Sequence, residues 1–235
     1  MILDIEKIFT DLGGNFLTTP VSISHKLSKI KGILFDWDGV FNTGVKGSEQ
    51  SSTFSEIDSM GINLLRFAIW LETKKVPFTG IITGQINDTA FELAKREHFN
   101  SVYYNFKSKN EALEHIKKGF KMNPSNVVFI FDDVLDISAA KNSGLSMMIK
   151  RTSSPLLNKY VVENKLADYI TGHVSKDNAI REICEMLIGM KGLYEEVIDK
   201  RIEFFQEYSI YLEQRNSISA KFFHKVDKKI IETII

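Results

Sequence analysis

Apolar residues along this chain fall into short unbroken runs, separated by stretches in which they recur at helical spacing. Gly32-Ile33-Leu34-Phe35 is one such run, closed by Asp36, Asp38 and Gly39. Val127–Phe131 is the longest, closed by Asp132 and Asp133. Residues 76–82, 102–104 and 145–149 repeat the pattern, the first ending at Thr83-Gly84. Short apolar runs bounded by turn residues predict strands buried on both faces. Between them, residues 61–74, 87–97, 109–120, 135–143 and 180–190 read as helices. Strands alternating with helices predict an α/β, Rossmann-like fold: a parallel sheet with helices on both faces. Ligands of such sheets bind beyond the carboxyl ends of the strands. The polar residues that close the runs are therefore candidates for one shared site.

The two ends have a different texture. Residues 1–29 read as an N-terminal arm with a weak helix at 2–12, and residues 41–54 as a hairpin or long loop. After the core of 30–188, Leu193, Ile198, Ile202, Phe205, Tyr208 and Leu212 trace one helical face. A break near Asn216-Ser217 precedes a second apolar series, Phe222, Val226, Ile230 and Ile234. Residues 189–235 are thus expected to be a C-terminal helical extension, its apolar faces packed on the core or on another subunit.

Composition narrows the field of functions. The 235 residues carry 30 basic and 30 acidic side chains with 43% hydrophobic residues, a globular composition. Zero net charge leaves no broad electrostatic footprint for nucleic acid or anionic lipid. A single cysteine, Cys184, excludes an internal disulfide framework and a cysteine-based zinc site. The first residues carry Asp4 and Glu6 where a secretory signal would be basic. No apolar run approaches the roughly 20 residues needed to span a bilayer. The expectation is a cytoplasmic protein with neither nucleic acid nor membrane as partner.

The chemistry lies in the acids. In Asp36-Trp37-Asp38-Gly39, residues two apart project the same way, so two carboxylates face one small volume. Asp132-Asp133-Val134-Leu135-Asp136 adds three more at the end of another strand. Close carboxylates repel, and a shared divalent cation relieves the repulsion. Hard oxygen donors without His or Cys suit Mg²⁺.

This order of motifs resembles the haloacid dehalogenase superfamily of phosphotransferases, over roughly residues 30–188. Asp36-Trp37-Asp38-Gly39-Val40 is similar to its first motif, Ile82-Thr83-Gly84 to its second, Lys109 to its third and Asp132-Asp133 with Asp136 to its fourth. Lys107 competes for the third place, but Asn110-Glu111-Ala112-Leu113 fits the helix that the motif lysine opens. The resemblance implies an aspartyl-phosphate formed on Asp36, with Asp38 protonating the leaving alcohol and then activating water. It further implies Mg²⁺ held by Asp36, Asp132 and the Asp38 carbonyl, and phosphate bound by Thr83, Gly84 and Lys109. Asp133 and Asp136 become supporting residues.

About twenty residues separate Gly39 from Gly61, too few for a large cap. Together with Phe54, Asp58, Gly61-Ile62 and Ala179-Ile180-Arg181-Glu182, this resembles the capless phosphatases of 3-deoxy-manno-octulosonate 8-phosphate and nonulosonate 9-phosphates. That likeness implies a small phosphorylated sugar or sugar acid as substrate and a homo-oligomer, typically a tetramer. It also implies a hairpin at 41–54 that helps to enclose a neighbour's site, and an Asp58 near the site mouth. The chain departs from the group at Gln85, where Arg is usual, at Phe131, where Gly is usual, and at Ser175-Lys176-Asp177-Asn178, which replaces a glycine-rich turn. These departures and the long tail define an alternative: a weak or inactive assembly subunit that docks a partner through its C-terminal helices.

Overall fold

The chain enters its sheet early. In a computed structural model describing residues 2–46, 52–227 and 229–235, helix α1 (Ile2–Asp11) leads to strand β1 (Asn15–Phe16) and helix α2 (Pro20–Leu27). Strand and helix then alternate as β2 (Gly32–Phe35), α3 (Glu56–Thr73), β3 (Phe78–Ile82), α4 (Asp88–Arg96), β4 (Ser101–Tyr104) and α5 (Lys109–Gly119). The series continues through β5 (Val127–Phe131), α6 (Ile137–Asn142), β6 (Leu145–Met148), α7 (Pro155–Glu163), β7 (Tyr169–Ile170) and α8 (Ala179–Met190). Helices α9 (Tyr194–Ile202) and α10 (Gln206–Asn216) precede β8 (Lys221–Val226) and β9 (Lys229–Thr233).

The sheet runs β1-β7-β6-β5-β2-β3-β4-β8-β9, parallel except at its two edges, where β1 and β9 pair antiparallel. β2, β3 and β5 are buried along their whole length, which is what uninterrupted apolar runs require. The chain passes from β2 to β3 and β4 on one side, then returns to the other side of β2 for β5 and β6. The crevice between β2 and β5 is therefore the topological switch point, where such sheets bind ligands. The first hydrophobic cluster joins Phe35, Trp37 and α3 to α8, and the second joins Leu34, Phe129 and Phe131 to α5 and α6.

α3 is buried almost all round. Its Arg66 is fully buried, and it donates to the carbonyls of Glu97 (2.6 Å) and His98 (3.0 Å) at the end of α4. Those carbonyls have no intrahelical partner, so one guanidinium satisfies two orphan acceptors and its own charge faces a helix C-terminus.

The ends correct the sequence reading. Residues 221–226 and 229–233 are not helical but two antiparallel strands, with β8 parallel to β4 and β9 on the outer edge. A spacing of four, as in Phe222, Val226, Ile230 and Ile234, satisfies a period of two as well as a helical face, and the β-branched and aromatic content favours the strand. Phe223 stacks on Tyr103 with centroids 4.8 Å apart, so the tail completes the sheet. The apolar face of 193–212 is also not one helix: it breaks at Phe204, which adopts a left-handed φ of 49°. The turn sets Tyr208 and Tyr211 against Phe67. Of the hairpin expected at 41–54, residues 47–51 lie outside the described residues, and 41–46 and 52–54 pair with no strand. No helix among the described residues is long and apolar enough to cross a membrane.

Candidate active site

Asp36 follows β2, and its N–H donates to the Ile130 carbonyl of β5 (2.9 Å), so the two strand ends stay in register. Asp132 follows β5, and Asp136 follows on a short 3-10 turn, Val134–Asp136. Asp36, Asp132 and Asp136 are all buried, and each offers an oxygen within 4.8 Å of the others.

Lys109 opens α5 and reaches into this cluster. It pairs with Asp36 at 2.5 Å and with Asp136, and it is itself 5% exposed, whereas Lys107 is exposed. Burial pulls its ammonium toward a lower pKa, but Asp36 and Asp136 overcome that and leave it above the usual value. Burial pushes the Asp36 carboxyl up to about 7, against the pull of Lys109 and with the help of Asp136. Asp132 rises to about 8 by burial and by the charge of Asp36. Neither Asp132 oxygen accepts a hydrogen bond among the described residues. Close buried carboxylates with an orphaned ligand atom fit a hard divalent cation, which would reverse these upward shifts.

Gly39 makes the approach possible. Its φ is +85°, and a Cβ there would lie 2.1 Å from Asp132 Oδ2. Glycine is required twice over, by the backbone conformation and by the contact.

Asp38 stands at the mouth, apart from the triad. It pairs with Lys46 at 2.7 Å and accepts weak hydrogen bonds from Ser52 and Asn87, both at 3.4 Å. Asn87 also donates to the Thr83 hydroxyl (3.0 Å), tying the ends of β2 and β3 together. Thr83 is fully buried, and Gly84 beside it leaves open space, with nothing nearer to an added Cβ than the Phe106 carbonyl at 3.9 Å. Gln85 accepts from Lys46 (2.8 Å), so a lysine from the 40–46 loop brings a positive charge beside the position where Arg was expected.

Asp133 caps the 3-10 turn through the Val134 N–H (2.6 Å) and pairs with Arg151 at 2.7 Å. Arg151 also lies 3.0 Å from Asp132. Phe131, for which glycine was expected, is fully buried and stacks on Phe129 with rings 6.0 Å apart and 4° from parallel. Its bulk belongs to the second core cluster.

Asp58 is not joined to the acidic cluster. It lies on α3, where one oxygen accepts the Arg181 N–H (2.9 Å) in the first turn of α8. It is a cap supplied by a neighbouring helix. Arg181 itself pairs with Glu185 along α8, and Cys184 is buried, its thiol pushed up by desolvation.

Sequence reasoning missed Lys46, Ser52, Asn87 and Arg151. Arg151 closes the apolar run of β6, so the rule that selected the acids would have found it. Asn87 stands at the N-cap of α4 yet makes no capping bond, and turns to Thr83 instead. Lys46 and Ser52 arrive on irregular chain with no periodic signal.

No family model matches the chain. It is 25% identical over 183 residues to the 3-deoxy-D-manno-octulosonate 8-phosphate phosphatase KdsC of Escherichia coli (strain K12), covering 75% of this chain and 90% of the relative. The KdsC of Salmonella typhi gives the same identity and coverage. Among solved structures, an HAD superfamily (subfamily III A) hydrolase from Legionella pneumophila matches with a TM-score of 0.64 at 23% identity, over 78% of this chain and 95% of that one. The 3-deoxy-D-manno-octulosonate 8-phosphate phosphatase of Moraxella catarrhalis, in complex with magnesium ion, phosphate ion and KDO, matches with a TM-score of 0.63 at 22% identity, over 76% and 97%. The fold is thus the HAD-type α/β fold, and the phosphatases named here are the proteins that the motifs resemble.

Proposed function

We propose that the chain is a Mg²⁺-dependent phosphatase that hydrolyses a small phosphorylated sugar or sugar acid through an aspartyl-phosphate on Asp36. The observation that carries this reading is the meeting of Asp36, Asp132 and Asp136 with Lys109 at the β2/β5 switch point. Asp36 attacks phosphorus, and the bond to the leaving oxygen breaks as that oxygen takes the proton of Asp38. Water then attacks the aspartyl-phosphate, Asp38 takes the water's proton, and inorganic phosphate departs. Asp38 suits both steps because it stands at the mouth beside Asn87 and Lys46 rather than inside the buried cluster. Thr83 donates its hydroxyl and the backbone near Gly84 lies open to a phosphate oxygen, while Lys109 supplies positive charge. Asp36, Asp132 and the Asp38 carbonyl would hold the cation with Asp136 close by, and the ion when bound neutralises phosphoryl oxygens.

A cleft of about 560 Å³ lined by Asn42, Thr43, Ser52, Thr53, Ser175 and Lys176 adjoins Asp38 through Ser52. Its hydroxyls and amide suit a polyhydroxylated leaving group, and Lys176 suits a carboxylate. The curated relatives act on such a substrate by name. We further read the enzyme as cytoplasmic and oligomeric, with a tetramer expected in solution mass measurements. The docking-subunit alternative draws less support, since β8 of the tail pairs with β4 and Phe131 packs in the core.

The test is phosphate release from a panel that includes octulosonate and nonulosonate phosphates, with and without Mg²⁺. Activity that requires the ion and disappears in a folded Asp36→Asn variant is expected. No release from any member, or an Asp36→Asn variant as active as the parent, would overturn the reading.

A further inference from the structure

We infer that Arg151 sets the affinity of the acidic cluster for its divalent cation, by holding against Asp132 a positive charge that an incoming ion must oppose. The inference rests on the metal-binding reading above and adds a residue that no motif of the resemblance includes. Arg151 follows β6, and its backbone is pinned. The preceding Lys150 N–H donates to Thr171 (2.9 Å), and the Arg151 carbonyl accepts from Asn158 (2.9 Å) and from the Ser154 N–H (3.3 Å). From that fixed base the guanidinium spans two acids, with Nε 3.0 Å from Asp132 Oδ2 and Nη1 2.7 Å from Asp133 Oδ2. Asp133 is 43% exposed and Asp132 1%, so one arginine ties an outer anchor to an inner ligand. Nη2 also stands 3.4 Å from the position a Cβ on Gly44 would take, so the loop after β2 packs against the same group.

Two opposite effects follow from this placement. Without an ion, the guanidinium offsets the mutual repulsion of the buried carboxylates and steadies the site. With an ion, the same charge repels it and competes for the electron density of its ligand. A cation held against a ligand carboxylate thus steadies the empty site and opposes the incoming ion. The rigid fork matters less than the charge in this account, so lysine should replace arginine tolerably although the two are not equivalent elsewhere.

The experiment is calorimetric titration of the full chain with Mg²⁺ in the absence of substrate, on the parent, Arg151→Gln and Arg151→Lys, with thermal denaturation in parallel. Removing a positive charge beside a ligand of the ion should tighten binding, and Arg151→Gln is expected to bind Mg²⁺ about tenfold more tightly. It should also melt lower than the parent without the ion and regain the difference when Mg²⁺ is saturating. Arg151→Lys should stay within about threefold of the parent. Equal or weaker binding by a folded Arg151→Gln would overturn the inference, as would an Arg151→Lys that behaves like Arg151→Gln. If neither the parent nor Arg151→Gln binds Mg²⁺, the metal-binding reading falls and this inference with it. If the parent binds normally and Arg151→Gln is unchanged, only the inference falls.

Discussion

Replacing Asp58 by Asn removes a charge that the fold holds at a cost. Asp58 is 1% exposed, one oxygen caps α8 through the Arg181 N–H, and the other has no hydrogen-bond partner among the described residues. Burial raises its carboxyl from 3.8 to about 6, against the hydrogen bond and charge of Arg181. A folded-state pKa above the unfolded one means that the native protein holds this proton more tightly. Stability is therefore lost as pH rises through the window from 3.8 to 6, and the full cost persists above it. Linkage gives about 1 kcal/mol at pH 4.5 and about 3 kcal/mol at pH 7.5. Asn keeps the acceptor for Arg181 but buries an NH₂ donor in place of the unpartnered oxygen, a penalty of about 1–3 kcal/mol that does not vary with pH. The net effect at one pH is thus small, whereas its change between the two pH values is about 2 kcal/mol in favour of the variant. In thermal melts of a chain this long, that change corresponds to roughly 4–8 °C. Parent and variant melted side by side at pH 4.5 and 7.5 supply the measurement, because every other titrating group cancels in the difference. A variant whose deficit is the same at both pH values, or grows at pH 7.5, would refute the burial argument.

The active-site glycine and the tail give further expectations. Gly39→Ala places a methyl 2.1 Å from Asp132 Oδ2 at a φ of +85°; Mg²⁺ affinity should fall by about 10–100-fold in calorimetry. Lys109→Met leaves Asp36 and Asp136 without their shared cation and should cost about 3–5 kcal/mol in denaturant unfolding without Mg²⁺, with saturating Mg²⁺ restoring part of it. Phe223→Ala empties a 5%-exposed site stacked on Tyr103 and should cost about 3–5 kcal/mol by the same assay; an unchanged midpoint would return the tail to a peripheral role.

What the sequence made legible depended on attachment to a buried run. Asp36, Thr83 and Asp132 each follow an apolar strand directly, so the strand pattern places them at one edge of one sheet. Lys109 was legible because it opens a helix. Asp58 was singled out by the resemblance of its segment to the capless phosphatases, and its role as a cap was not legible because its partner Arg181 lies 123 residues away on another helix. Lys46 and Ser52 were silent because irregular chain carries no period from which to read direction. The tail was misread because a repeat of four does not distinguish helix from strand, and the free edge of β4 that decides the matter is a property of the assembled sheet.

The charges of the site, taken together, explain why the deficit falls where it does. Among the described residues, Asp36, Asp38, Asp132, Asp133 and Asp136 pair with Lys46, Lys109 and Arg151 alone. Lys46 serves Asp38, Arg151 lies closest to Asp133, and Lys109 is divided between Asp36 and Asp136. Among the described residues, two negative charges therefore remain without a cation of their own. The carboxyls pushed up to about 7 and about 8 are Asp36 and Asp132, the two that close neighbouring strands β2 and β5. The shortfall is thus at the switch point, where the sheet's topology opens a crevice. A divalent ion would match the shortfall in charge.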